Sequence, residues 1–223
     1  MLNCRFTELN KAVQYTKESY PIPPQILAMK DLIAVDCGAH LGEFALAYSS
    51  LFKEIYAFEP STEALYKTEE NLKNKNITNC WLYRRACAAT SGQSVRLYKN
   101  KNEWSEASSI YNSGVLSSND FTDIYEECTT INLEEIFNII NFVSDRKGNE
   151  IDYLKVDIEM AEYDFLFRKN LSNVNCLAVE IHKSLFGPFK NELLKWLDQY
   201  FTIYSEQGAT HWTGIFLNKK FAK

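Results

Sequence analysis

Short apolar runs that alternate with amphipathic stretches restrict most strongly how this chain can fold. "DLIAVD" (31–36) reads as a strand buried on both faces, and "GEFALAYSSLF" (42–52) as a helix with Phe44, Leu46, Ala47 and Leu51 on or near one face. "KEIYAFEP" is a second strand ended by proline. "STEALYKTEENLKNK" is a helix with Ser61 as its N-cap, and "NCWLYRRACA" is a third strand. After "SGQSVRLYKN", an antiparallel strand, comes a stretch rich in Ser and Asn (99–124). It is too long for an ordinary connection and is therefore expected to be functional or partly mobile. "EECTTIN" is expected to pair back as a strand, followed by a helix over "LEEIFNIINFV". The rhythm then resumes with strand "DYLKVDI", helix "AEYDFLFRKNL", strand "NCLAVEIH", helix "PFKNELLKWLDQY" and a closing hairpin of "FTIYSE" and "HWTGIFLN".

Strand–helix alternation with short connections implies a mostly parallel sheet with helices on both faces. The closing hairpin adds an antiparallel strand. The expected organisation is an N-terminal extension over 1–30, a possible cap, and a main domain over 31–223 with an irregular insert around 99–124. In the extension, residues 7–19 read as a short helix, and "YPIPPQ" (20–25) as an extended segment held by three prolines.

The composition narrows the function classes. A net charge of −5 argues against nucleic-acid binding, which calls for clustered Lys and Arg. No apolar run reaches the ~18 residues of a membrane span, and the N-terminus lacks a signal-peptide core, so a cytoplasmic location is expected. The six cysteines form no C-x-x-C pair, which speaks against a structural zinc site.

Ligands of such sheets bind at the carboxyl ends of strands, near the point where strand order reverses. The first strand ends Asp36-Cys37-Gly38-Ala39-His40-Leu41-Gly42, and the second at Glu59-Pro60. Glycines allow close backbone approach, with mere helix–strand packing as the lesser alternative for these two. Glu59 follows Gly42 by 17 positions, near the spacing at which a carboxylate reaches a ribose diol. The pattern D-x-G-x-x-x-G is not the G-x-G-x-x-G of nicotinamide enzymes, and Asp36 would repel a pyrophosphate. An adenosine-type cofactor with a cationic tail, S-adenosylmethionine, fits better.

The fourth parallel strand ends Asp157-Ile158-Glu159-Met160-Ala161-Glu162, and the fifth ends Glu180-Ile181-His182. Glu159 and Glu162 have a bland reading as acids at a helix start. Asp157, which ends an apolar strand, does not. Period-two spacing puts Glu180 and His182 on one face, where a histidine beside acids is a candidate general base. Asp157, Glu159, Glu180 and His182 could also hold Mg²⁺ or Mn²⁺, though nothing in the spacing requires a metal. In the insert, Trp104, Ser108, Ser109 and Tyr111 suit a sugar-like acceptor, with a solvated loop as the alternative.

Five ordered segments, "VDCGAHLGEFAL", "YAFEPSTEAL", "TINLEEIF", "LKVDIEMAEYDFL" and "AVEIH", resemble the FkbM-type S-adenosylmethionine-dependent methyltransferases over about residues 31–183. The resemblance implies the Rossmann-like class I methyltransferase fold, a sheet of seven strands with its last hairpin reversed. It also implies O-methylation of a hydroxyl on a sugar or glycan-like acceptor. By position, Asp36, Gly38, Ala39 and Gly42 would hold the methionine end, and Glu59 the ribose. Pro60 and Ser61 would border the adenine, and Asp157 would lie near the transferring methyl. His40 replaces the family's usual Asn, and Met160 its usual Gly. The rival readings are a cofactor-binding scaffold without catalysis, which Met160 keeps open, and a NAD-dependent oxidoreductase.

Overall fold

The computed structural model describes residues 2–100, 109–110, 121–145, 150–182, 185–208 and 211–221. Its strands and helices follow the alternation. β1 (Ile33–Cys37), β2 (Glu54–Phe58), β3 (Cys80–Tyr83), β7 (Tyr153–Val156), β8 (Cys176–His182), β9 (Phe201–Gln207) and β10 (His211–Asn218) form one seven-stranded sheet. Their order is β3-β2-β1-β7-β8-β10-β9. The first five in that order are parallel, and β10 runs antiparallel to both β8 and β9. Strand order reverses between β1 and β7, so their carboxyl ends flank the crevice where such sheets bind ligands.

Both faces are covered. On β1, Ile33, Val35 and Cys37 join one apolar cluster together with Leu133, Ile136, Phe137 and Ile140 of α5 (Leu133–Val143). Ala34 turns the other way, towards Phe44, Ala45 and Tyr48 of α3 (Glu43–Tyr48) and Leu72 of α4 (Thr62–Asn74). All five β1 residues are buried, as expected for a central parallel strand. Ser61 caps α4, its hydroxyl accepting from Ala64 N–H at 3.3 Å.

Several expectations shift. The third strand is two: β3 stays in the main sheet, and β4 (Ala86–Cys87) leaves it for a second sheet, order β4-β6-β5. Between them the Arg84 guanidinium donates to Glu126 and to the Glu127 carbonyl, tying the chain to that sheet. β5 (Ser94–Asn100) and β6 (Phe121–Ile131) pair antiparallel, so both ends of the stretch expected to be irregular are strand. Residues 101–108 and 111–120, with Trp104, Ser108 and Tyr111, lie outside the described residues.

α1 (Leu2–Ser19) is longer than expected. Of the proline-rich segment, only Tyr20–Pro23 is non-helical. Pro24 opens the short helix α2 (Pro24–Leu27), where its missing N–H costs nothing. The buried face of α3 is Phe44, Ala45 and Tyr48; Leu46 and Ala47 are half-buried, and Leu51, beyond the helix end, is exposed. α6 (Glu162–Leu166) stops short because Phe167 is extended and Arg168 takes φ 61°. α7 (Pro188–Leu197) precedes the hairpin.

Candidate active site

The β1 corner is closed by its own backbone. Gly38 (φ 83°) and Gly42 (φ 84°) lie where glycine is favoured. A Cβ on Gly38 would fall 1.8 Å from the Asp157 carbonyl oxygen, and one on Gly42 2.8 Å from Thr68 Cγ2. The tight-corner reading therefore accounts for both glycines. Every N–H from 38 to 42 has an internal acceptor. Gly38 and Ala39 donate to Phe58 O, His40 to Glu59 Oε2, Leu41 to Glu43 Oε2 and Gly42 to Ala39 O. His40 adopts φ 46°, a conformation that His, like Asn, tolerates better than most side chains.

Two buried carboxylates face this corner. Asp36 accepts from Lys155 Nζ at 3.0 Å, and Lys155 also donates to Gly38 O at 2.8 Å. Asp36 Oδ2 is buried with no hydrogen-bond partner among the described residues. Burial pushes the Asp36 carboxyl up to about 6 against the pull of Lys155. For Lys155, burial lowers the ammonium, but the charges of Asp36 and Asp157 raise it further. Glu59 accepts from His40 N–H (2.9 Å) and Ser61 N–H (2.8 Å). Burial still pushes it up to about 7.

The second cluster joins the ends of β7 and β8 to the segment after α1. His182 Nδ1 meets Glu162 Oε1 at 2.8 Å. Its Nε2 lies 3.1 Å from Glu159, and 4.0 Å from both Asp157 and Glu180. Burial opposes charge on the ring, but the hydrogen bonds to Glu159 and Glu162 prevail and raise it to about 12. Desolvation raises Glu159 and Glu180. The Tyr20 hydroxyl donates to Asp157 Oδ2 (3.0 Å) and Glu180 Oε2 (2.8 Å), one proton serving two carboxylates. Ser109 Oγ donates to the Glu159 carbonyl at 2.8 Å, docking the second sheet on this cluster. Two overlapping sets have metal-ligand spacing: Glu180, His182 and His211; and Asp157, Glu159 and His182.

The structure brings Asp157, Glu159, Glu180 and His182 together, as the sequence grouped them, and places Asp36, Gly38, Ala39, Gly42, Glu59, Pro60 and Ser61 around the first corner. Sequence reasoning missed four participants. Lys155 was legible, since it stands two positions before Asp157 on the same strand face. His211 was legible in part, because the expected hairpin did not say which strand it would pair with. Tyr20 carried no signal, and Glu162 was read only as a helix-start acid. A surface cleft lined by Tyr83, Asn132, Ile139 and Phe142 shares no residue with either cluster.

Residues 36–208 match the family model of the methyltransferase FkbM domain. No curated protein matches. Among solved structures, the chain is similar to a methyltransferase FkbM from Methylobacillus flagellatus KT (14 % identity, 92 % of this chain and 52 % of that one, TM-score 0.52). It also resembles M. capricolum TrmK in complex with S-adenosyl-homocysteine (11 %, 95 % and 67 %, 0.47) and an rRNA methylase from Streptococcus thermophilus (16 %, 87 % and 92 %, 0.45). At 14 % identity the likeness to the first of these is one of fold.

Proposed function

The chain belongs to the FkbM methyltransferase family, and from that membership we propose that it methylates a hydroxyl group on a sugar or glycan-like acceptor, with S-adenosylmethionine as donor. The observation that carries the choice of donor is the β1 corner. Its N–H groups from 38 to 42 are all engaged, and the charged groups beside it are the buried carboxylates of Asp36 and Glu59. Such a corner repels the pyrophosphate of a nicotinamide cofactor and suits a cation. The buried, unpartnered Oδ2 of Asp36 fits that charge. In this reading Asp36, Gly38, Ala39 and Gly42 hold the methionine end and Glu59 the ribose hydroxyls. Pro60 and Ser61 border the adenine. The donor supplies an electrophilic methyl group when bound.

The chain's own residues orient the acceptor and take its proton. Of the two candidates, Asp157 is the better base. His182 holds protons on both nitrogens at neutral pH, because carboxylates flank each one. Asp157 is partly open to solvent, and its oxygens lie between the Tyr20 hydroxyl and the His182 ring. His182, gripped by Glu159 and Glu162, fixes the local charge, and Glu180 shares the Tyr20 proton with Asp157. The mild acidity of the chain supports a neutral acceptor over a nucleic acid.

Calorimetric titration with S-adenosylmethionine, S-adenosylhomocysteine and NAD tests the donor. Micromolar binding of the adenosyl compounds alone is expected. Absence of binding by folded protein would overturn the reading. Glu59→Ala should weaken cofactor binding about tenfold or more, as expected for losing a charge-assisted hydrogen bond. His182→Ala should lower kcat, by disturbing the charge beside Asp157, with cofactor Kd unchanged. Cofactor binding with no turnover on any hydroxylated acceptor would favour the scaffold reading instead.

A further inference from the structure

The end of β8 and the start of β10 add His211, which methyl transfer does not use, to Glu180 and His182 of the second cluster. His182 and His211 are register partners across this antiparallel pair, with ring centroids 5.2 Å apart. Glu180 lies between them. Its Oε1 is 3.2 Å from His211 Nδ1 and 4.0 Å from His182 Nε2. All three ligand atoms lie within 4.8 Å of one another. Metal bonds of about 2.0–2.2 Å place neighbouring donors roughly 3.0–3.6 Å apart. Closing the set takes a movement of about an ångström, and His211, 57 % exposed, has room to make it.

Glu162 gives the set its direction. It is fully buried and engages His182 Nδ1, which leaves Nε2 facing Glu159 at 3.1 Å with Glu180 at 4.0 Å. A carboxylate on one ring nitrogen with a metal on the other is the arrangement that fixes a ligating histidine. Glu162 Oε2 is buried without a hydrogen-bond partner among the described residues. Around the single His182 ring stand Asp157, Glu159, Glu162 and Glu180, while the one nearby ammonium among the described residues, Lys155, is shared between Asp36 at 3.0 Å and Asp157 at 3.9 Å. The cluster holds more negative than positive charge, which a dication balances.

We propose that His182 Nε2, His211 Nδ1 and Glu180 Oε1 bind one first-row transition-metal dication, with Glu162 as the positioning residue behind His182. Two imidazoles in the ligand set select such an ion over Mg²⁺, which prefers an all-oxygen shell. The ion takes the place of the proton that His182 Nε2 shares with Glu159, so binding releases that proton to solvent and breaks the Glu159 contact. The site goes beyond the methyl-transfer reading and does not depend on it.

The test is titration of the full chain, freed of metal by chelation, with Co²⁺ and separately with Mg²⁺. Calorimetry and the visible d–d absorption of Co²⁺ give the readouts. One Co²⁺ per chain is expected, bound at least about tenfold more tightly than Mg²⁺. His211→Ala should weaken Co²⁺ binding by a similar factor or more. Glu162→Gln should weaken it about 10–100-fold and shift the d–d band. Because His211 is exposed, its variant should melt at the temperature of the unchanged chain. The proposal is overturned by absence of Co²⁺ binding, or by a thiolate-to-cobalt charge-transfer band, which would place the ion on cysteine. It is equally overturned if His211→Ala binds as tightly as the unchanged chain, which would place the ion among Asp157, Glu159 and His182. S-adenosylmethionine binding by the same metal-free protein reports separately on the methyltransferase reading.

Discussion

Met160 carries a side chain at φ 81°, directly after Glu159 at φ 50°. An L-residue in the left-handed region costs roughly 1–2 kcal/mol, so the glycine that the family resemblance leads one to expect would be relaxed here. Met160 is nevertheless buried, and its packing offsets the strain. The two contributions separate in a pair of variants. Met160→Ala loses the packing and keeps the strain. Met160→Gly loses both. Denaturant unfolding should therefore find the glycine variant more stable than the alanine variant by about 1 kcal/mol, the reverse of the usual order in regular structure. Equal stabilities, or alanine ahead, would mean that the backbone at 160 is not strained. The sequence made this residue visible as a departure from pattern but not its conformation. That depends on the Glu162 carboxylate, which accepts the Met160 and Ile158 N–H groups and holds the turn.

The elements most legible in the sequence were those whose burial is symmetric. β1, β2, β7 and β8 are buried along their whole length, so a mostly apolar run without period-two alternation suffices to announce them. β4, two residues long and paired parallel to β6, had no such run, and its departure from the main sheet depends on a distant pairing of Arg84 with Glu126. The link between the two switch-point strands was likewise hidden, because Lys155 reads locally as a single polar interruption. It ties β7 to β1 through a buried ion pair with Asp36. Removing one partner of such a pair leaves an uncompensated charge and costs about 3–5 kcal/mol. Lys155→Ala should lower stability by that amount in equilibrium unfolding. Adding Asp36→Asn should restore a large part of it, and a double variant no more stable than Lys155→Ala would show that the pair does not act as a unit. The candidate site was legible where strands end in acids, at Asp36, Glu59, Asp157 and Glu180. It was opaque where partners arrive from elsewhere in the chain, as Tyr20 does across 160 residues to Glu180.

For the molecule as a whole, the raised carboxyls and His182 act in one direction. Asp36 and Glu59, raised to about 6 and about 7, keep protons in the folded chain at pH values where the unfolded chain has released them. Stability therefore falls as pH rises from about 4 through 7. His182 adds to the fall above its ordinary value near 6.5, because the folded chain holds its proton up to about 12. The melting temperature should be several degrees lower at pH 8 than at pH 5, at about 2–4 °C per kcal/mol for a chain of this size. A saturating cationic donor should flatten the slope by favouring ionised Asp36 and Glu59. A melting temperature that rises over this interval would contradict the buried-carboxylate account. The strand order has a consequence of its own for the chain as it is made. Lys155 follows Asp36 by 119 residues, yet their strands are neighbours at the middle of the sheet. A ribosome adding about 5–20 residues each second takes on the order of ten seconds to span that gap. Throughout that interval β1 has no β7 to pair with, whatever bonds it makes to β2. The nascent chain thus keeps one edge of a strand that ends fully buried open to its neighbours until the central partner emerges, and slowed translation lengthens that exposure.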